Sequence, residues 1–344
     1  MIQHTLSFTH ATTEIYFDAS LSLLQQLAPP HNSFIITDEH LMLHYQHIFK
    51  PWSVIAIPPG ESSKSLEVLD DIIRQLIALE AGRDATIIGI GGGVITDIAG
   101  FAAGIYKRGI RCGFVPTSVL GMVDAAVGGK NGLDTGDYKN MIGLTRQPGF
   151  LLYDYSLLDT LPEEEWINGF AEIIKHACIN DSDMFSMLQQ HRLEIFREDK
   201  ALLGELIRRN VLLKAGYVVK DELETGIRKE LNFGHTFAHA IENIYQLPHG
   251  HAVAIGMIVA AGLSERETGF RQADILTELL AQYQLPVNLS FDSDRIYQLM
   301  LADKKRNGNA ISYVLLEHIG KAVVKEIGVK DIKAGLQKQE EIWK

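Results

Sequence analysis

Residues 86–104 read TIIGIGGGVITDIAGFAAG, an apolar run, three consecutive glycines and then an apolar pattern of helical period. Few folds accommodate that succession. A short β-branched run bounded by glycine reads as a buried strand. Glycines at its exit let the backbone turn sharply and approach a bound phosphate. A helix starting there offers unpaired N–H groups and the positive end of its dipole to an anion. The spacing departs from the dinucleotide fingerprint G-x-G-x-x-G, because after Gly89 and Gly91 the third glycine position holds Val94. Taken alone, the turn reads as readily as a tight strand-to-helix connection as it does a nucleotide site.

The chain on either side repeats the alternation. Residues 33–37, 52–57, 86–90, 112–115 and 150–154 read as buried strands. Leu66, Leu69, Ile72, Ile73, Leu76 and Ile77 recur at helical spacing between two of them, and Gly82 is expected to close that helix. Strand and helix in alternation predict an α/β domain with a mostly parallel sheet covered by helices. After Leu161 and Pro162 the pattern changes. Residues 163–180, 183–196, 201–220, 231–245 and 251–268 all carry helical periodicity with little strand signal between them. A nucleotide-binding α/β domain over 1–162 and a mainly helical domain over 163–344 follow, with a small late hairpin from 311–316 and 322–327.

The balance of residue types narrows the partners. With 46% apolar and 22% charged residues in 344, the chain can bury two ordinary cores. A net charge of −11 argues against nucleic acid or an anionic membrane, which are held by surplus Lys and Arg, but permits a local basic cluster for a small anion. The apolar run 253–263 is too short to span a bilayer, and MIQHTLSFTH lacks a basic start followed by an apolar stretch. The expectation is an unexported cytoplasmic protein. Cys112 and Cys178, the only cysteines, lie in apolar segments and suit buried thiols in a reducing compartment.

Four groups of residues carry chemistry. The glycine turn is the first. Residues 115–143, VPTSVLGMVDAAVGGKNGLDTGDYKNMIG, crowd Gly, Asp, Lys and Asn beside a strand and read as a substrate-lining loop containing Asp124, Lys130, Lys139 and Asn140. A histidine-rich stretch follows, with His235, His239, His249 and His251. His235 and His239 are four apart on one helix face, a spacing that zinc sites use and that also arises by coincidence. Glu172 lies in an apolar helix and either adds a carboxylate to that site or pairs with Lys175 or His176 on its own face. Last come Lys214, Arg228 and Asn232 with the pair Lys304 and Lys305, cations of the kind that grip carboxylate or phosphate, or else solvated helix charge.

In combination, GGGVITDIAGF, PTSVLGMVDAAVGGKNG, KNMIG, GFAEIIKHA, DELETGIRKELNFGHTFAHAIE, HGHAVAIGM and DKK resemble the 3-dehydroquinate synthases in order and spacing, over residues 37–308. The resemblance implies an N-terminal nucleotide-binding domain, a C-terminal helical domain with the metal, and an active site in the cleft between them. It implies catalytic NAD with zinc or cobalt, a sugar-phosphate substrate and a homodimer. It places the metal on Glu172, His235 and His249 and makes His239 a proton-handling residue beside it, replacing the paired-histidine reading. NAD contacts fall on Asp38, Glu61, Lys64, Gly93, Val94, Asp97, Thr117, Ser118 and Lys139. Substrate contacts fall on Asp124, Lys130, Asn140, Lys175, Lys214, Arg228 and Asn232, with Lys304 or Lys305. Glu224 sits where the family places a proton acceptor, so Glu224, His239, Lys130 and Asn140 form the implied catalytic set.

The implied reaction is oxidation of a secondary alcohol, β-elimination of phosphate, reduction, ring opening and intramolecular aldol closure. Departures from the pattern are Thr96 for the usual Gly, Asn131 for Thr after GGK, His251 for Glu, and a short connection from His239 to His249. A polyol dehydrogenase on the same fold, or a sister cyclase with another sugar phosphate, is the competing reading. An uncharged polyol gives no reason to gather Lys130, Lys175, Lys214 and Arg228.

Overall fold

The computed structural model describes residues 1–136, 138–302, 306–307 and 310–344. They form two compact units, Met1–Pro162 with Ile207–Leu223, and Glu163–Leu206 with Glu224–Lys344. The sequence pattern changes at the same Pro162, whereas nothing in composition marks the grouping of Ile207–Leu223 with the first unit.

The first unit is built on a seven-stranded sheet in the order β1-β2-β9-β6-β5-β3-β4. Its strands are β1 (Ile2–Ser7), β2 (Thr12–Phe17), β3 (Ser33–Asp38), β4 (Ser53–Ile57), β5 (Thr86–Gly91), β6 (Arg111–Pro116) and β9 (Phe150–Leu152). Helices α1 (Leu24–Leu27), α2 (Glu39–Phe49), α3 (Leu66–Ala78) and α4 (Gly93–Ile105) connect them. All pairings are parallel except β1 with β2. β5 is buried along its whole length, as a strand covered on both faces must be.

Chain direction reverses at the centre of this sheet. From β3 the chain passes through α2 to β4 on one side, and from β5 through α4 to β6 on the other. The carboxyl ends of β3 and β5 therefore flank a topological switch point, the place where open α/β sheets bind ligands. Thr37 Oγ1 ties the two ends together by donating to the Ile90 carbonyl at 2.8 Å.

Three local readings change. The expected loop after β6 contains a π-helical turn, Gly121–Ala125, and an antiparallel hairpin of β7 (Lys130–Thr135) and β8 (Tyr138–Thr145). Its residues are poor strand formers, and the hairpin is made by packing: Leu133 is fully buried, and Leu144 covers Gly104 of α4. α3 stops at Ala78 with Glu80 in the left-handed region at φ 56, so Glu80 and not Gly82 turns the chain. β1 and β2 carry too weak an alternation to announce themselves, although Thr13, Ile15 and Phe17 all face the core.

The second unit is mainly helical: α5 (Glu163–Asn180), α6 (Ser182–Gln190), α7 (Leu193–Glu198), the start of α8 (Lys200–Lys220), α9 (His235–Tyr245), α10 (His249–Glu267), α11 (Ala273–Gln282), α12 (Ser293–Ala302) and α13 (Val329–Trp343). The expected helix over 183–196 is two, because His191 and Arg192 are extended. The expected helix over 231–245 is broken by Gly234 at φ 80, between a 3₁₀ segment, Ile227–Asn232, and α9. The late hairpin is present as β11 (Ala310–His318) and β12 (Lys321–Gly328), with the two-residue β10 (Arg306–Asn307) beside it. α5 and α10 are buried almost all round and form the centre of this unit. No helix among the described residues is long and apolar enough to cross a membrane.

Candidate active site

In the first unit the turn Gly91 to Gly93 leaves β5 and enters α4 at the switch point. An ideal Cβ on Gly91 would stand 2.4 Å from Ile95 Cγ1, so close packing of the turn on its own helix excludes a side chain there. Gly93 and Val94 form the first turn of α4. Thr117 and Ser118 follow β6 alongside; the Thr117 N–H donates to the Gly91 carbonyl at 3.0 Å, and Ser118 Oγ accepts from the Gly121 N–H at 3.1 Å. Asp38, at the end of β3, caps α2 by accepting from the Leu41 N–H at 2.9 Å.

Past the turn lies a network of charges. Lys64 Nζ donates to Asp97 Oδ2 at 2.9 Å and to Asn140 Oδ1 at 2.6 Å, with Glu61 at 3.7 Å. Lys139 reaches the same Glu61 oxygen at 3.9 Å. Burial raises the Asp97 carboxyl to about 6, Lys64 opposing it. Burial works against a charged Lys64, and Asp97 and Glu61 outweigh it, so its pKa stands above the ordinary value. Asp124, in the π-helical turn, accepts from Lys214 Nζ through both its carbonyl and Oδ1, each at 2.7 Å. Lys130 opens β7 and is exposed. Thr96 is buried and turns its hydroxyl back to the Gly93 carbonyl at 3.0 Å.

In the second unit three donors converge. Glu172, wholly buried on α5, places Oε1 at 3.3 Å from His249 Nε2 and 3.6 Å from His235 Nε2. Donor atoms of the three residues lie within 4.8 Å of one another. Two ligands on a tetrahedral zinc with bonds of about 2.0 Å stand roughly 3.3 Å apart, so the trio fits a divalent metal.

The outer nitrogens are also held. His235 Nδ1 lies 3.2 Å from the Phe233 carbonyl, which can only accept, so that nitrogen carries the proton and Nε2 presents a lone pair. His249 Nδ1 faces Glu242 Oε1 at 3.5 Å. The two imidazoles are pushed in opposite directions. Burial opposes a charged His249, but the Glu172 and Glu242 carboxylates outweigh it and raise its pKa to about 10. Burial and the neighbouring Lys175 ammonium hold His235 well below its ordinary value.

Around the trio, Lys175 pairs with Glu172 one turn along α5, and both are buried. The His239 ring stands 5.5 Å from that of His235 and nearly perpendicular to it. Arg228 is buried on the 3₁₀ segment, and Asn232 Nδ2 donates to Glu224 Oε1. Glu224 itself is left-handed at φ 60. Lys304 and Lys305 lie outside the described residues.

Two residues escaped the sequence reading. Glu242 is buried seven residues after His235, two turns along the same face, a spacing that was there to be read. Asn168 accepts from the Gly250 N–H through Oδ1, fixing the start of α10 beside His249. Only its place one turn before Glu172 hinted at that.

Known proteins match this arrangement. Residues 54–168 match the family model described as 3-dehydroquinate synthase N-terminal, and residues 169–306 that described as 3-dehydroquinate synthase C-terminal. A 3-dehydroquinate synthase from Acidithiobacillus ferrooxidans is 43% identical over 281 residues, 80% of this chain and 77% of that protein. One from Sulfurovum sp. is 39% identical over 343 residues, 96% and 97% of the two chains. Among solved structures, 2-epi-5-epi-valiolone synthase from Streptomyces hygroscopicus, with NAD+ and Zn2+ bound, gives a TM-score of 0.88 at 25% identity, covering 98% of this chain and 99% of that one.

Proposed function

The chain belongs to the 3-dehydroquinate synthase family, and we propose from that membership that it converts 3-deoxy-D-arabino-heptulosonate 7-phosphate to 3-dehydroquinate and phosphate. It is a carbon–oxygen lyase of aromatic biosynthesis that works in the cytoplasm as a homodimer. The observation that carries the reading is the Glu172, His235 and His249 donor trio with the buried cation Lys175 paired to it, in a unit that also buries Arg228.

Glu172 Oε1 and the Nε2 atoms of His235 and His249 would hold the metal, leaving a position open for substrate oxygen. The turn at Gly93 and Val94, with Asp97, Thr117, Ser118 and Lys139, would hold NAD, and Asp38, Glu61 and Lys64 would complete its pocket. When bound, the metal supplies Lewis acidity and NAD supplies a hydride acceptor that is restored within each turnover. Lys130, Asn140 and Asp124 would orient the sugar ring. Lys175 would help neutralise the phosphate as its bond to carbon breaks. Arg228, through its planar fork, and Lys214 would bind the carboxylate, and Asn232 would be set by its bond to Glu224. Lys304 or Lys305 would add a further cation. His239 and the Glu224 carboxylate would move protons at the ring oxygens and carbons.

A polyol dehydrogenase must yield one NADH per product, whereas the cyclase returns its hydride. Incubated with the heptulosonate phosphate, zinc or cobalt and a trace of NAD, the protein is expected to release phosphate for many turnovers with no build-up of NADH. Replacing Arg228 by Ala is expected to impair this substrate by roughly 2–5 kcal/mol, the cost of unpairing a buried charge. NADH accumulating from a simple polyol, with no phosphate from the heptulosonate, would refute the assignment.

A further inference from the structure

The β7–β8 ladder pairs Leu133 with Ile142 and then Thr135 with Tyr138. Asp134 of β7 therefore faces Lys139, Asn140 and Met141 of β8, a bulge that breaks the regular exchange of backbone bonds. Asn140 occupies it at φ 54, in the left-handed region that few residues other than glycine enter and that asparagine tolerates best among them.

The bonds that the ladder loses reappear on Asp134. The Asn140 N–H donates to Asp134 Oδ1 at 2.7 Å, and the Asp134 N–H donates to the Lys64 carbonyl at 2.8 Å. Asn140 Oδ1 in turn accepts from Lys64 Nζ at 2.6 Å. The three bonds close a ring through Lys64, Asp134 and Asn140. Lys64 Nζ extends it to Asp97 on α4 at 2.9 Å.

We propose that Asp134 is a positioning residue of the active site: by fixing the bulge it aims the Asn140 carboxamide and holds Lys64 between Asn140 and Asp97. The inference rests on the reading that assigns Asn140 to substrate and Lys64 with Asp97 to NAD. Under it, Asp134 touches neither ligand, yet links a residue of one to residues of the other. The bond from Asn140 to Asp134 is exposed, so losing it costs the fold little while releasing Asn140 from its left-handed geometry.

The test compares Asp134→Ala, Asp134→Asn, Asn140→Ala and the double variant Asp134→Ala/Asn140→Ala in the zinc-loaded full chain, following kcat, KM and thermal midpoint. Asp134→Ala is expected to lower kcat about ten- to a hundredfold, the effect of a small misplacement at a reacting centre, with its midpoint unchanged. Asp134→Asn, which keeps an accepting oxygen, is expected to restore most of that activity. The double variant is expected to be no slower than Asn140→Ala alone, since Asp134 acts through Asn140. Wild-type kinetics in Asp134→Ala alongside an impaired Asn140→Ala would overturn the inference and leave the site reading standing. Additive losses in the double variant, or an Asn variant as slow as the Ala variant, would overturn it equally. Wild-type kinetics in Asn140→Ala would remove the site reading and the inference together.

Discussion

Glu242 Oε1 stands 3.5 Å from His249 Nδ1, so the helix that begins with His235 also steadies the outer nitrogen of His249. A carboxylate in that place fixes the ring and raises the basicity of the inner nitrogen. Replacing Glu242 by Ala is expected to weaken zinc binding about ten- to a hundredfold, and Glu242→Gln by less. Competition with a chromophoric chelator measures it directly, without reference to turnover. Unchanged affinity in both variants would show the contact to be incidental.

Removal of the metal is the plainer test of the trio. Chelation is expected to abolish activity and zinc or cobalt to restore it. Ala at Glu172, His235 or His249 is expected to lower bound metal as assayed by atomic absorption. Full activity in metal-free protein would take the metal out of the reaction.

Gly100 lies inside α4 under Asn131, whose Nδ2 donates to the Gly129 and Arg146 carbonyls at 2.7 and 3.0 Å. A Cβ on Gly100 would fall 1.8 Å from Asn131 Oδ1 and 2.9 Å from Phe114 Cζ. Alanine favours a helix by about 1 kcal/mol over glycine, but here the clash wins. Gly100→Ala is expected to destabilise by about 1–3 kcal/mol in urea unfolding. Adding Asn131→Ala is expected to recover part of that loss.

Asp97 supplies a pH dependence. Burial, opposed by Lys64, lifts its pKa from 3.8 to about 6. The folded state thus holds this proton more tightly than the unfolded one. Its stabilisation is complete below about pH 4 and is lost as pH rises through about 6, amounting to at most about 3 kcal/mol. Asp97→Asn has no such proton, so its stability relative to the parent protein is expected to improve as pH rises from about 4 to about 6, the window this shift defines, and to stay level above it. Denaturant titrations of both proteins across that range decide the matter; parallel curves would contradict the shift.

The sequence made legible those features whose cause is local. β5, the glycine turn and α4 announce themselves because a buried parallel strand is apolar throughout and the helix after it keeps its own period. The β7–β8 hairpin does not, since its Gly, Asp and Asn residues read as loop and its order comes from Leu133 and Leu144 packing on α4. The same division runs through the candidate site. His235 and His239 suggested each other by spacing alone and Glu172 stood as one of two readings of its helix, while the trio of Glu172, His235 and His249 depends on three helices and was assembled only through family resemblance. Asp124 and Lys214 lie 90 residues apart, and no periodicity could have paired them.

The way α10 is started has a bearing on how such a chain tolerates change. His249 is the first residue of its helix, Asn168 grips the next backbone N–H from α5, and Glu242 holds the ring from α9. The histidine is thus placed by what it docks onto, and the connection from Gln246 to Pro248 has only to reach it. Residues inserted in that connection would leave the donor atoms where they are, so this is the stretch where the chain can lengthen, by evolutionary drift or by design, without losing its metal cluster.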